Sequence, residues 1–129
     1  MRTIEEIEDE IAELRELIEK FEGFIRILKE ALTYISRRKT NIDINAYYPA
    51  WNYDMSRGSK WRGNLYDEGV NHQTDIHDTT KKAQGETEKT LSEIREAIEY
   101  FQNKIEEYKE RISHLEAELD ALRAAMEPQ

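Results

Sequence analysis

Residues 4–35 read IEEIEDEIAELRELIEKFEGFIRILKEALTYI, and the apolar positions of this stretch decide the fold. Ile4, Ile7, Ile11, Leu14, Ile18, Phe21, Ile25, Leu28, Leu32 and Ile35 alternate in steps of three and four without exception. A second stretch repeats the pattern through Leu91, Ile94, Ile98, Phe101, Ile105, Tyr108, Ile112, Leu115, Leu119, Leu122 and Met126. A 3.5-residue repeat keeps one stripe facing a partner helix, so each array is the seam of a coiled coil. The two helices must pair with each other or with other chains. The expected fold is all-α: an elongated antiparallel helical hairpin with an irregular, aromatic-rich segment near its tip. It forms a single domain over residues 1–129, with helix one over 3–38, the irregular segment over 39–62 and helix two over 63–126.

Local signals mark the helix ends. Thr3 is an N-cap candidate, with Glu6 three residues later in capping-box spacing. Glu5, Glu6, Glu8, Asp9 and Glu10 follow where the helix dipole favours acids, and Arg37, Arg38 and Lys39 have the favourable sign for its far end. Residues 40–60 break the pattern with Pro49, several Asn and Asp, and Tyr47, Tyr48, Trp51 and Tyr53. Helix two starts near Asn64, and Pro128 lies beyond its end.

Helix two is not uniform. Projected back from Leu91, its seam falls on Tyr66, Val70, Gln73, His77, Thr80, Gln84 and Thr87, most of them polar. Two arrangements fit. Either the helix bends or fades near Gly85, or residues 64–87 meet segment 40–60 through another face, such as Leu65, Gly69, His72, Ile76 and Ala83. Antiparallel pairing of Ile4 with Leu122 and of Ile35 with Leu91 brings the neighbourhood of Trp51 alongside Asp75, which suits the second arrangement.

Helix one carries a second stripe, Leu17, Phe24, Ile27, Ala31 and Tyr34, also at helical spacing. An apolar arc wider than a strict seam is what a helix needs to touch two neighbours. One is its hairpin partner; the other is another molecule or the aromatic segment folded back. The same stripe suits a homodimer.

Composition excludes several functions. With 36% charged and 38% hydrophobic residues, 129 residues make one small domain without a large globular core. A net charge of −9 argues against binding nucleic acid or an anionic membrane surface. The absence of cysteine removes disulfides and thiolate metal sites. No apolar run approaches the ~20 residues of a membrane span, and the acidic, periodic N-terminus is unlike a signal peptide. Acids gather at one end of the expected rod, with Glu5 to Glu13 near Glu116, Glu118, Asp120 and Glu127, while Arg37, Arg38, Lys39, Arg57, Lys60, Arg62, Lys81 and Lys82 gather at the other.

Catalysis finds little support. No Gly-rich phosphate loop and no His-Glu-x-x-His motif occurs. The best cluster is His72, Asp75, His77 and Asp78, but His77 points about 140° away from His72 on a helix, so a metal there needs an outside ligand. The chain reads as a non-enzyme without catalytic residues, metal or cofactor.

Between the two arrays stands Trp61, Arg62, Gly63, Asn64, Leu65, Tyr66, a Trp-x-Gly-x-x-Tyr element followed by Asp67 and Glu68. Glycine permits a backbone that a side chain forbids, for a reversal or a helix start, and the indole offers a rigid apolar face. This element between two amphipathic helices resembles the WXG-motif proteins of bacterial type VII secretion, most closely the YwqH-like small proteins associated with LXG toxins. The resemblance implies a small helical partner or targeting chaperone that binds the N-terminal helical domain of an LXG-type effector, alone or with a second small helical protein. Its partner-binding residues would be Leu17, Phe24, Ile27, Ala31, Tyr34, Trp51, Trp61, Gly63 and Tyr66. A Tyr-x-x-x-Asp/Glu export signal is missing: Lys104 follows Tyr100 and Ile112 follows Tyr108 at that spacing, and little chain follows Met126. The protein is then an accessory, cytoplasmic or exported with its partner, whose signal comes from another subunit. The alternative is a self-assembling structural or prefoldin-like coiled-coil chaperone, with strands in residues 40–60.

Overall fold

In the computed structural model, residues 2–55 and 63–127 are described, and every element among them is helical. Helix α1 spans Ile4–Ile42, a π-helical turn Asp43–Tyr47, α2 Tyr48–Asn52 and α3 Asn64–Met126. The chain is all-α, with no strand among the described residues. It divides into two compact units, one of Met1–Glu30 with Arg95–Gln129, the other of Ala31–Ile94.

Local contacts mark the ends of the helices. The Thr3 hydroxyl accepts the Glu6 N–H at 3.1 Å, so α1 starts on its cap. Helix α3 begins at Asn64 and runs unbroken through Gly85 to Met126. Helix one, however, does not stop near residue 38. It continues to Ile42, and helical turns carry on through Asn52, where the sequence reading placed an irregular segment. Contacts one turn apart support the extension: Lys39 Nζ lies 3.6 Å from Asp43 Oδ2, and the Asn45 amide donates to Asn41 Oδ1. Pro49 falls in the first turn of α2, where a missing N–H costs nothing. Tyr53, extended at ψ 126°, ends the run.

In the first unit the seam residues of α1 and α3 form the core. Ile7, Ile11, Ile112, Leu115 and Leu119 are buried together, with Ile4, Leu14, Ile18 and Leu122 packed around them. Further along lies an aromatic group. Phe21 sits 5.0 Å from Phe101 and 5.7 Å from Tyr108, centroid to centroid, and Phe24 sits 5.4 Å from Phe101. Contacts between low numbers on α1 and high numbers on α3 make the two segments antiparallel here.

Charge at this end is not the gathering of like acids expected from the sequence. Arginines beside the α3 seam reach across to α1 carboxylates: Arg123 to Glu8 at 2.6 Å and Arg111 to Glu10 at 3.2 Å. Arg15 returns the contact to Glu116 at 2.8 Å. Hydrogen bonds from Arg2, then from Arg111, hold the Glu10 carboxyl below the usual carboxylate range. Its lowered value means that its contribution is present above the unfolded carboxylate's pKa and fades as pH falls through the folded one. As an exposed pair it contributes little beside the core.

Leu115 is fully buried. Leu115→Ala should therefore lower unfolding free energy by about 2–5 kcal/mol in urea titration, whereas the exposed-pair change Arg123→Ala should cost under about 1 kcal/mol.

Candidate partner-binding site

In the second unit the seam of α3 turns polar, and its polar side chains hold the segment from Lys39 to Tyr53 in place. His77 and Gln84 occupy the heptad position that carries Leu91 and Ile98 further on, and Gln73 the one that carries Ile94 and Phe101. Gln84 is only 8% exposed, and its amide nitrogen donates to the Lys39 carbonyl and to Asp43 Oδ1, both at 2.9 Å. A polar group reaching into a helix ladder is an established cause of distortion, and the π-helical turn starts at Asp43. Gln73 acts on the end of α2. Its amide nitrogen meets the carbonyl oxygens of Ala50, Trp51 and Tyr53 at 2.9, 3.0 and 2.8 Å. Two N–H bonds shared among three acceptors satisfy carbonyls that a helix end leaves orphaned.

His77 lies between two aromatic rings. Its centroid is 3.8 Å from Trp51 and 5.2 Å from Tyr47, both stacked. The Tyr47 hydroxyl sits 2.9 Å from Nε2, and Asp78 Oδ1 sits 3.2 Å from Nδ1. In the neutral ring the hydroxyl donates to Nε2 and Nδ1–H donates to the carboxylate. Trp51 thus meets α3 between Gln73 and His77, the neighbourhood of Asp75 that the antiparallel register predicts. Both arrangements read from the sequence miss part of this. The helix does not fade at Gly85, and the seam itself, not another face, makes the hydrogen-bonded contact. The other face has a separate place: Leu65, Gly69, His72 and Ile76 form one wall of an open groove of about 720 Å³, and Ala46, Pro49, Ala50 and Tyr53 line its opposite side.

The nine residues singled out from the sequence fall in different settings. Leu17 and Ala31 are half-buried, and Phe24, 36% exposed, spends one face on Phe21 and Phe101. Ile27 and Tyr34 are each 60% exposed. The Arg38 guanidinium lies over the Tyr34 ring at 5.2 Å, and its Nε donates to the hydroxyl. Trp51 belongs to the His77 stack, and Tyr66 is half-buried on the α3 seam. Gly63 has φ +56°, the left-handed region that favours glycine, immediately before α3, and its carbonyl accepts the Asp67 N–H. Trp61 lies outside the described residues. The reading missed Gln73 and Gln84. Their one visible signal was their place on the seam, where an amide opposes a segment ending in free carbonyls.

Replacing Gln84 by Leu leaves the Lys39 carbonyl without its donor, and should cost about 1–3 kcal/mol and speed amide hydrogen exchange over residues 39–47. Gln73→Leu should instead speed exchange around residues 50–55, the end that Gln73 caps.

No helix among the described residues is long and apolar enough to cross a membrane. No curated protein and no solved structure matches the chain. The profile of the YwqH-like family matches residues 2–124, nearly the whole length. With an all-α chain and a family match of that extent, the protein belongs to the YwqH-like family.

Proposed function

We propose that this protein is a small helical binding partner, or targeting chaperone, for the N-terminal helical domain of an LXG-type effector of type VII secretion. In this reading α1 and α3 form an antiparallel helical hairpin of coiled-coil type, and the chain works as a binding protein, not an enzyme, without cofactor or metal. Membership of the YwqH-like family supports it, together with the Trp-x-Gly element that such proteins carry. The observation that carries it is Ile27, an isoleucine 60% exposed on a helix whose neighbouring seam residues, Ile25 and Leu28, are half-buried. Scattered apolar residues on a surface are ordinary. Ile27, however, continues a regular stripe with Leu17 and Phe24, and a helix gains little from such a row unless something covers it.

The prefoldin-like form of the alternative loses support, because it expects strands in residues 40–60 and residues 40–52 are helical. Dimerisation through the stripe remains compatible with the accessory role, with the effector's helices replacing the second copy.

Phe24 is a poor probe of this surface because it packs on Phe101. Ile27→Glu is the cleaner one. It should weaken binding to the effector's helical domain at least ten-fold in calorimetry, about 1.4 kcal/mol, while circular dichroism shows unchanged helicity. Unaltered affinity would sink the stripe as the docking surface.

A further inference from the structure

We propose that the groove of the second unit is a docking site for a basic amphipathic helix of the protein partner. This rests on the binding reading above and names the chemistry of the surface that the partner presents. Tyr53, Leu65 and Ile76 converge on the groove, and each is more than half exposed. Large apolar side chains so placed stabilise nothing in the isolated chain, but they receive apolar side chains spaced three or four residues apart on a docked helix. The floor is already fixed, because Gln73, which also lines the groove, caps the end of α2.

Charge identifies the occupant. Among the described residues that line the groove, the one Asp, Glu, Lys or Arg is an acid, Glu68. Glu68 lines the groove, and Asp75, seven residues on and exposed, falls on the same side of α3. A helix with apolar residues on one face and Lys or Arg beside them satisfies both features, whereas an acidic helix is repelled. A second copy of this chain, with its net charge of −9, is a poorer fit.

The test titrates the full chain with a synthetic helical peptide of about 20 residues, Leu on one face and Lys on its flanks, and with the counterpart bearing Glu for Lys. The Lys peptide should bind at least ten times more tightly than the Glu peptide. Leu65→Asn with Ile76→Asn should weaken it at least ten-fold, as should Glu68→Lys with Asp75→Lys. Glu13→Lys with Glu16→Lys, the same change of charge in the first unit, should leave it unchanged. Equal loss in that control would reduce the effect to net charge, and undiminished binding in both groove variants would remove the site; either overturns the proposal. A dimer that dissociates on Leu65→Asn with Ile76→Asn would make a second copy the occupant, which also overturns it. The effector's helical domain separates this claim from the reading beneath it. A domain that binds the groove variants normally but loses affinity for Ile27→Glu overturns the groove alone. A domain that binds none of them, while the Lys peptide still seats, overturns the accessory role and leaves the groove standing.

Discussion

One position in every three or four along α3 faces its neighbour, and the rest of the structure depends on what fills that seam. Where it is Ile or Leu, as at Ile112, Leu115 and Leu119, the facing residues on α1 are apolar too, and burial holds the helices together. Where it is Gln or His, the facing segment offers carbonyls and aromatic rings. The geometry of the repeat does not change between the two; only the chemistry does. A buried amide such as Gln84 is tolerable because both of its N–H bonds have acceptors, and it is costly to remove for the same reason. The seam thus sets the pairing in apolar stretches and corrects the irregular one.

That division explains which parts of the structure were legible in the sequence. Period and spacing are properties of one helix, so the two arrays, the Thr3 cap and the start at Asn64 could be read directly. The extension through residues 39–52 could not. Asn41, Asn45 and Pro49 are poor helix residues by propensity. Their helical state rests on an Asn–Asn contact, a Lys39–Asp43 pair and two glutamines from a residue range more than twenty positions away. Tertiary capping of this kind leaves no local signature. The cross-helix arginines were hidden for a related reason: a count of acids at one end ignores single basic residues that flank the seam and meet them.

The candidate surfaces divide along the same line. Helical spacing placed Leu17, Phe24, Ile27, Ala31 and Tyr34 on one stripe, but spacing does not say how much of each side chain a neighbour takes. Phe101 claims part of Phe24, and Arg38 covers part of Tyr34. Ile27 has no such cover and is left as the sharpest marker of that face. In the second unit the expected face, Leu65 with Gly69, His72 and Ile76, does look toward the segment it was set against, but across an open groove, while the seam makes the hydrogen bonds to that segment.

On the binding reading proposed above, apolar surface has to stay available without the chain collapsing onto it, and the two units differ in how they leave it exposed. In the first, the core of isoleucines and leucines leaves Ile27 of the further row on α1 exposed, while Phe101 of α3 takes part of Phe24. In the second, polar side chains do the fastening, so the apolar wall of Leu65 and Ile76 is not consumed in holding the unit together. Glutamine and histidine on a seam give up the hydrophobic stabilisation that leucine would supply there. Leucine at position 73 or 84 would give apolar burial but leave the carbonyls of Lys39 and Ala50 without donors, and a segment freed from those donors has an apolar groove beside it to collapse into. Polar fastening thus stands beside an apolar groove that its own bonds do not fill.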